Sequence, residues 1–145
     1  FYRDNALSEG KLTLLGEQLS LKDVHIPIFM QSSKEDHIAP APSVYNSARA
    51  FGGPVEYIIA GSGHIAGVIN HPTAKKYQYW TNPNLKGALE DWQAFSVEHP
   101  GSWWPHWDQW LRKISGDDVP ARTPGDGDLE PLGDAPGDYV KVRSS

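Results

Sequence analysis

His64 closes the tetrapeptide Gly61-Ser62-Gly63-His64, and 28 positions before it Asp36 sits within Glu35-Asp36-His37. An imidazole, with a reference pKa of about 6.5, can take a proton from a nucleophile and return it near neutral pH. A carboxylate beside it fixes the ring tautomer or stabilises the imidazolium. A carboxylate followed in the chain by a histidine supplies the last two-thirds of a nucleophile-acid-base arrangement whose first member is Ser or Cys. By spacing alone, Glu35, Asp36 and His37 compete for the acid's position, and Gly-Ser-Gly-His is also an ordinary turn composition. Glycines 61 and 63 are expected to let the backbone turn sharply and bring the imidazole toward a pocket without Cβ clashes.

Other chemistries fit less well. None of the six histidines forms the His-x-x-x-His spacing of two ligands on adjacent helical turns, and His99 and His106 are seven apart. With no cysteine, no metal site is expected. A net charge of -5 offers no basic field for nucleic acid or an anionic membrane surface. No apolar run approaches the ~18 residues of a membrane span. The absence of cysteine fits a reducing cytoplasm. The cluster Trp103, Trp104, Trp107 and Trp110 could form a stacking platform for sugar or choline, but aromatics at helical spacing are read as core. The chain begins at Phe1 and its one methionine is Met30, so it is expected to be a piece of a longer protein.

The elements that must position Asp36 and His64 follow from apolar patterning. Leu12/Leu14 and Leu19/Leu21 alternate around Gly16, which suggests a short hairpin or extended connection. Val24 to Met30 is almost wholly apolar, as in a strand covered on both faces, and Pro27 places its start near itself. Residues 32–42 read as a loop. A helix is then predicted with Pro42 in its first turn, Val44, Ala48 and Phe51 on one face, and Gly52-Gly53 as its stop. Val55 to Ala60 is the next strand. This order predicts a βαβ unit with a parallel pair and a right-handed crossover, placing Asp36 and His64 at one sheet edge. Leu85, Ala88, Leu89, Trp92 and Phe95 predict a helix capped by Asn84. A second, after Gly101-Ser102, has Trp104, Trp107, Leu111 and Ile114 on its apolar face. From Gly116 onward, five Gly, four Pro and seven acidic residues against three basic ones predict a solvated tail. Tyr139-Val140-Lys141-Val142 is read there as a few extended residues.

Three strings carry a resemblance. They are Ser33-Lys34-Glu35-Asp36-His37-Ile38-Ala39-Pro40, Gly61-Ser62-Gly63-His64-Ile65-Ala66-Gly67-Val68-Ile69-Asn70 and Glu98-His99-Pro100-Gly101-Ser102-Trp103-Trp104-Pro105. Together with Tyr77 to Asn82 and Pro136 to Lys141, they resemble the C-terminal catalytic region of class I polyhydroxyalkanoate synthases. The resemblance implies an α/β class chain, the last parallel strands, crossover helix and C-terminal helices of an α/β-hydrolase fold, incomplete as a domain. Residues 1–115 would be catalytic-domain sequence and 116–145 the acidic tail. It implies an acyltransferase that polymerises (R)-3-hydroxyacyl-CoA into polyester and releases coenzyme A, with the thioester as substrate and no separate cofactor. His64 matches the histidine that activates a nucleophilic cysteine. Asp36 matches the aspartate that orients the histidine or helps to activate the substrate's 3-hydroxyl, and His37 is a candidate supporting neighbour. The cysteine lies upstream in the family, so this chain alone is expected to be inactive and poorly folded. Homodimerisation and a cytoplasmic location at polymer granules are further implications.

Two rival readings stay open. An esterase or polyhydroxyalkanoate depolymerase of the same fold would use the same pair beside a serine. A non-catalytic module would use the aromatic cluster to dock on polymer or a partner chain.

Overall fold

The computed structural model of the chain describes residues 4–123 and 125–143. The chain divides into two units, Phe1–Ile114 and Ser115–Ser145.

The first unit begins with the expected hairpin, β1 (Leu12–Leu14) against β2 (Glu17–Leu19), antiparallel with Leu12 opposite Leu19. Its two turn residues, Leu15 and Gly16, both have positive φ, which matches the twist of the paired strands. Leu21 falls outside the pair, in a 3-10 turn over Leu21–Asp23.

A four-stranded mixed sheet follows, in the order β3-β4-β5-β6. β3 (Ile28–Ser33) and β4 (Val55–Ala60) are parallel, with Ile28 opposite Val55 and Ser33 opposite Ala60. β3 starts directly after Pro27, which has no N–H to give a ladder. It runs three residues past the apolar stretch because its serines are satisfied where they are buried. Ser32 Oγ bonds Tyr57 Oη at 2.6 Å, and Ser33 Oγ accepts from Gln31 Nε2 at 2.9 Å.

The crossover helix α1 (Ala41–Ala48) buries Ala41, Tyr45 and Ala48; of the predicted Val44/Ala48/Phe51 face, Ala48 is buried, Val44 packs against the core and Phe51 falls beyond the helix. The helix ends at Arg49, before the two glycines. Gly52 and Gly53 instead permit a close backbone approach, since a Cβ on either would lie 1.8 Å from Lys22 O or 2.6 Å from the carbonyl carbon of His25. Their N–H groups donate to Leu21 O and Val24 O, fastening the entry to β3.

Two strands were not anticipated. β5 (Gln78–Thr81) adds antiparallel to β4, and β6 (Val97–Pro100) antiparallel to β5. Between them α2 (Leu89–Ala94) is shorter than the predicted helix. Gly87 at φ 79 interrupts it, and Asn84 Oδ1 accepts from the Lys86 N–H in a local turn instead of capping. Phe95, expected on the buried face, is 80% exposed. The core under α1 and α2 joins Tyr45, Tyr57, Ile59, Leu89 and Trp92. Tyr57 meets Tyr45 and Trp92 edge-on, with centroids at 5.3 and 5.0 Å, the arrangement that aromatic quadrupoles favour.

α3 (Trp104–Ile114) packs against the sheet through a rotated face. Trp103, His106 and Trp110 surround Phe29 of β3 at 5.5–6.0 Å, whereas Trp107 is 39% and Ile114 50% exposed. With aromatics at 103, 104, 107 and 110, the helical period by itself admits several apolar faces. Trp103 and Trp110 are half-buried against Phe29, outside the core formed under α1 and α2.

In the second unit the described residues are exposed, and Tyr139–Lys141 forms a 3-10 turn where extended residues were expected. Among the described residues no helix is long and apolar enough to cross a membrane.

Candidate active site

Because Ser33 stands opposite Ala60 in parallel register, the chain leaves β3 and β4 at one level of the sheet. Two backbone bonds tie the departing loops together: Lys34 N–H to Ala60 O at 2.8 Å and Glu35 N–H to Ser62 O at 3.0 Å. Asp36 and His64 are thereby brought together, with Asp36 Oδ2 and His64 Nδ1 2.8 Å apart. The other carboxylate oxygen, Oδ1, accepts from the Ile38 N–H at 2.8 Å and the Ala39 N–H at 2.9 Å. The Asp36 side chain is 6% exposed and that of His64 45%.

These contacts hold the Asp36 carboxyl below its usual range. The Ala39 N–H contributes most, burial opposes it, and His64 and the Ile38 N–H add to the lowering. The carboxylate is therefore ionised at neutral pH and can only accept, which puts the shared proton on His64 Nδ1. In the neutral ring the lone pair is then on Nε2, which has no hydrogen-bond partner among the described residues. An oriented base with its reactive nitrogen open to the surroundings is what the pair offers chemically. The chain contains no cysteine, so a thiol acting with this base has to come from elsewhere.

Of the three competitors for the acid's place, only Asp36 meets the histidine. Glu35 and His37 are exposed and make no side-chain hydrogen bond among the described residues. Asp36 Oδ1 gathers the N–H groups of residues 38 and 39, while His37, the candidate supporting neighbour, is exposed between them.

Ser62 takes the left-handed conformation, φ 71, while Gly63 does not, and a Cβ on Gly63 would meet nothing closer than Glu35 O at 3.7 Å. Gly67 is the position that cannot carry a side chain: its Cβ would fall 2.3 Å from Ser33 Oγ and 2.8 Å from both Gly61 O and Gly63 O. Gly61 is intermediate, with Gln78 O at 3.0 Å. Sequence spacing pointed to residues 61 and 63 because they flank the turn, and only the return of the chain against β3 singles out Gly67.

His99 and His106 have separate partners. His99 stacks on Tyr79 with centroids 4.9 Å apart and bonds Thr81 Oγ1 at 2.9 Å, while His106 Nε2 bonds Glu56 Oε1. Although seven apart in sequence, the two rings come within 6.5 Å. Among the described residues no group of three or more His, Cys, Asp or Glu could hold a metal ion.

The first unit thus has mixed α/β content, with an imidazole-carboxylate pair at the ends of two parallel strands. No family model matches the chain. It is 50% identical over 143 residues to the poly(3-hydroxyalkanoate) polymerase subunit PhaC of Rhizobium etli, 99% of this chain and 22% of that protein. It is 48% identical over 144 residues to the poly(3-hydroxyalkanoate) polymerase of Methylorubrum extorquens, 99% of this chain and 24% of that one. Against the PhaC subunit of Cupriavidus necator the figures are 38% over 146 residues, 99% and 25%. Over nearly its whole length the chain is homologous to poly(3-hydroxyalkanoate) polymerases and spans about a quarter of their length, which bears out the resemblance seen in its motifs.

Proposed function

We propose that this chain is the acid-base portion of a polyhydroxyalkanoate synthase, an acyltransferase of the α/β-hydrolase fold that polymerises (R)-3-hydroxyacyl units from their CoA thioesters. The single observation that carries the proposal is the 2.8 Å contact between Asp36 Oδ2 and His64 Nδ1, with Nε2 left free. The nucleophile is a cysteine from the rest of the polypeptide. His64 Nε2 takes the thiol proton, since the thiolate and not the thiol attacks. The sulfur adds to the thioester carbonyl, and coenzyme A departs with the proton returned by the imidazolium. Elongation repeats the proton transfer with the 3-hydroxyl of an acyl unit as the attacking group.

Asp36 acts as the orienting group. Its buried carboxylate already accepts from two backbone N–H groups and from His64, so little capacity is left for a substrate hydroxyl. No additional cofactor enters this scheme. The family resemblance further supports a homodimer working in the cytoplasm at polymer granules. β3 has one unpaired edge among the described residues. An open edge of this kind suits a sheet that continues into other parts of a larger domain.

The test is acylation of the complete polymerase by labelled (R)-3-hydroxybutyryl-CoA. His64→Ala is expected to slow acyl-enzyme formation by roughly 10²–10⁴-fold, the usual contribution of a positioned general base. Labelling at the normal rate would remove His64 from this role.

A further inference from the structure

The turn that carries His64 is closed within itself at one end and clamped from outside at the other. Gly67 N–H donates to Gly63 O at 2.9 Å and Ile69 N–H to Ile65 O at 2.8 Å. The carbonyls of Gly67 and Val68, where the turn leaves, take hydrogen bonds from side chains 36 residues away. Trp103 Nε1–H donates to Gly67 O at 2.9 Å, and Trp104 Nε1–H to Val68 O at 3.0 Å. Two adjacent indoles thus grip two adjacent carbonyls just past the histidine.

Both indoles are themselves anchored. Trp103 stacks on Phe29 of β3, with centroids at 6.0 Å and planes 19° apart, and Trp104 meets His71 edge-on at 5.8 Å. The buried Ser102 accepts the Trp104 N–H at the start of α3. Further along, Trp110 packs on Phe29 and His106 bonds Glu56 of β4. The sheet that sets the level of Asp36 therefore also sets, through α3, the level of the turn bearing His64. A Cβ on Gly67 would fall 2.3 Å from Ser33 Oγ, so the turn has little slack toward β3.

We propose that Trp103 and Trp104 are positioning residues for His64, their indole N–H groups fixing the turn so that Nε2 faces the nucleophile supplied by the rest of the polymerase. This rests on the reading of His64 as the general base. Asp36 controls the tautomer and one side of the ring; the two indoles control where the ring's backbone sits. Small misplacement of a reacting group is costly in rate without weakening substrate binding, because alignment is what makes the step effectively unimolecular.

The experiment replaces the indoles in the complete polymerase with Trp103→Phe and Trp104→Phe, singly and together, which keeps an aromatic ring and deletes the N–H. Trp107→Phe on the same helix, whose indole makes no hydrogen bond among the described residues, is the control. The double variant is expected to lower the acylation rate at saturating thioester by about tenfold or more. KM should be unchanged, and Trp107→Phe should act at the wild-type rate. Should a phenylalanine variant fail to fold, 3-benzothienylalanine, which keeps the bicyclic ring and lacks the N–H, takes its place. Wild-type acylation without either indole N–H would overturn the inference, as would a fall in rate of the folded variant matched by a proportionate rise in KM. If the Trp variants are silent while His64→Ala is inactive, the positioning role fails and the general-base reading stands. If His64→Ala is itself silent, both fall.

Discussion

At the scale of single residues, Asp36 carries the most consequence for its size. Its carboxylate fixes the proton on His64 Nδ1, and an amide in its place would offer an N–H to the same nitrogen. The ring would then favour the tautomer with its proton on Nε2, and the base would be lost. Asp36→Asn is expected to slow acylation and elongation together, by roughly 10²–10⁴-fold, in single-turnover measurements of both steps. Slowed elongation with acylation intact would assign Asp36 to the substrate hydroxyl instead. The carboxyl also makes stability depend on acid. Its folded pKa lies below the ordinary value of 3.8, so its stabilisation is full above that value and fades as pH falls through the lower folded one. Denaturant melts of the complete protein across this range should show the loss in the wild type and a flatter profile in Asp36→Asn. Gly67→Ala would force a Cβ to within 2.3 Å of Ser33 Oγ. Since backbone carbonyls close the other sides, His64 must move, and both activity and melting temperature should drop, whereas Gly63→Ala meets only an ordinary contact and should be milder.

The elements owe their cohesion to an aromatic core that buries polar atoms only in pairs. Tyr57 lies between Tyr45 and Trp92 and shares its hydroxyl with Ser32 at 2.6 Å. Burial, the largest influence, pushes its pKa up to about 12, with the Ser32 bond acting against it and Tyr45 adding to it. A raised folded pKa means that the neutral side chain's contribution is whole below about 10 and lost as pH climbs toward 12. Unfolding followed by tryptophan fluorescence should show this alkaline loss, and Tyr57→Phe should abolish much of it. The same substitution strands the buried Ser32 hydroxyl, at a cost of about 1–3 kcal/mol at neutral pH. Elements with a strong local signal were legible beforehand: β4 has the bounds that its apolar run suggested, and the hairpin turns at Gly16. β5 and β6 were not. Each has four residues, β6 carries Glu98, His99 and Pro100, and what makes them strands is pairing with β4 and with each other. Nothing in four residues of either segment announces that pairing. α3 shows a related ambiguity, because tryptophans on several sides leave the face that packs on the sheet to be chosen by Phe29.

At the scale of the molecule, a segment spanning about a quarter of its relatives holds an oriented base and no thiol. Purified alone, the chain is expected to release no coenzyme A from (R)-3-hydroxybutyryl-CoA, monitored with a thiol reagent. Measurable polymer formation by these residues would defeat that expectation. The order of residues by itself determined the chemistry on offer, a carboxylate and an imidazole each following a β-type run, because side-chain identity and apolar periodicity are local properties. It also determined that the two runs would pair in parallel, since a helix of crossover length lies between them. Only the tertiary structure decided which of Glu35, Asp36 and His37 reaches the histidine, that Gly67 and not Gly63 is sterically required, and that two indoles clamp the turn. Each of these depends on where chain segments tens of residues apart come within a few ångströms, and such distances are set by packing that no local pattern encodes.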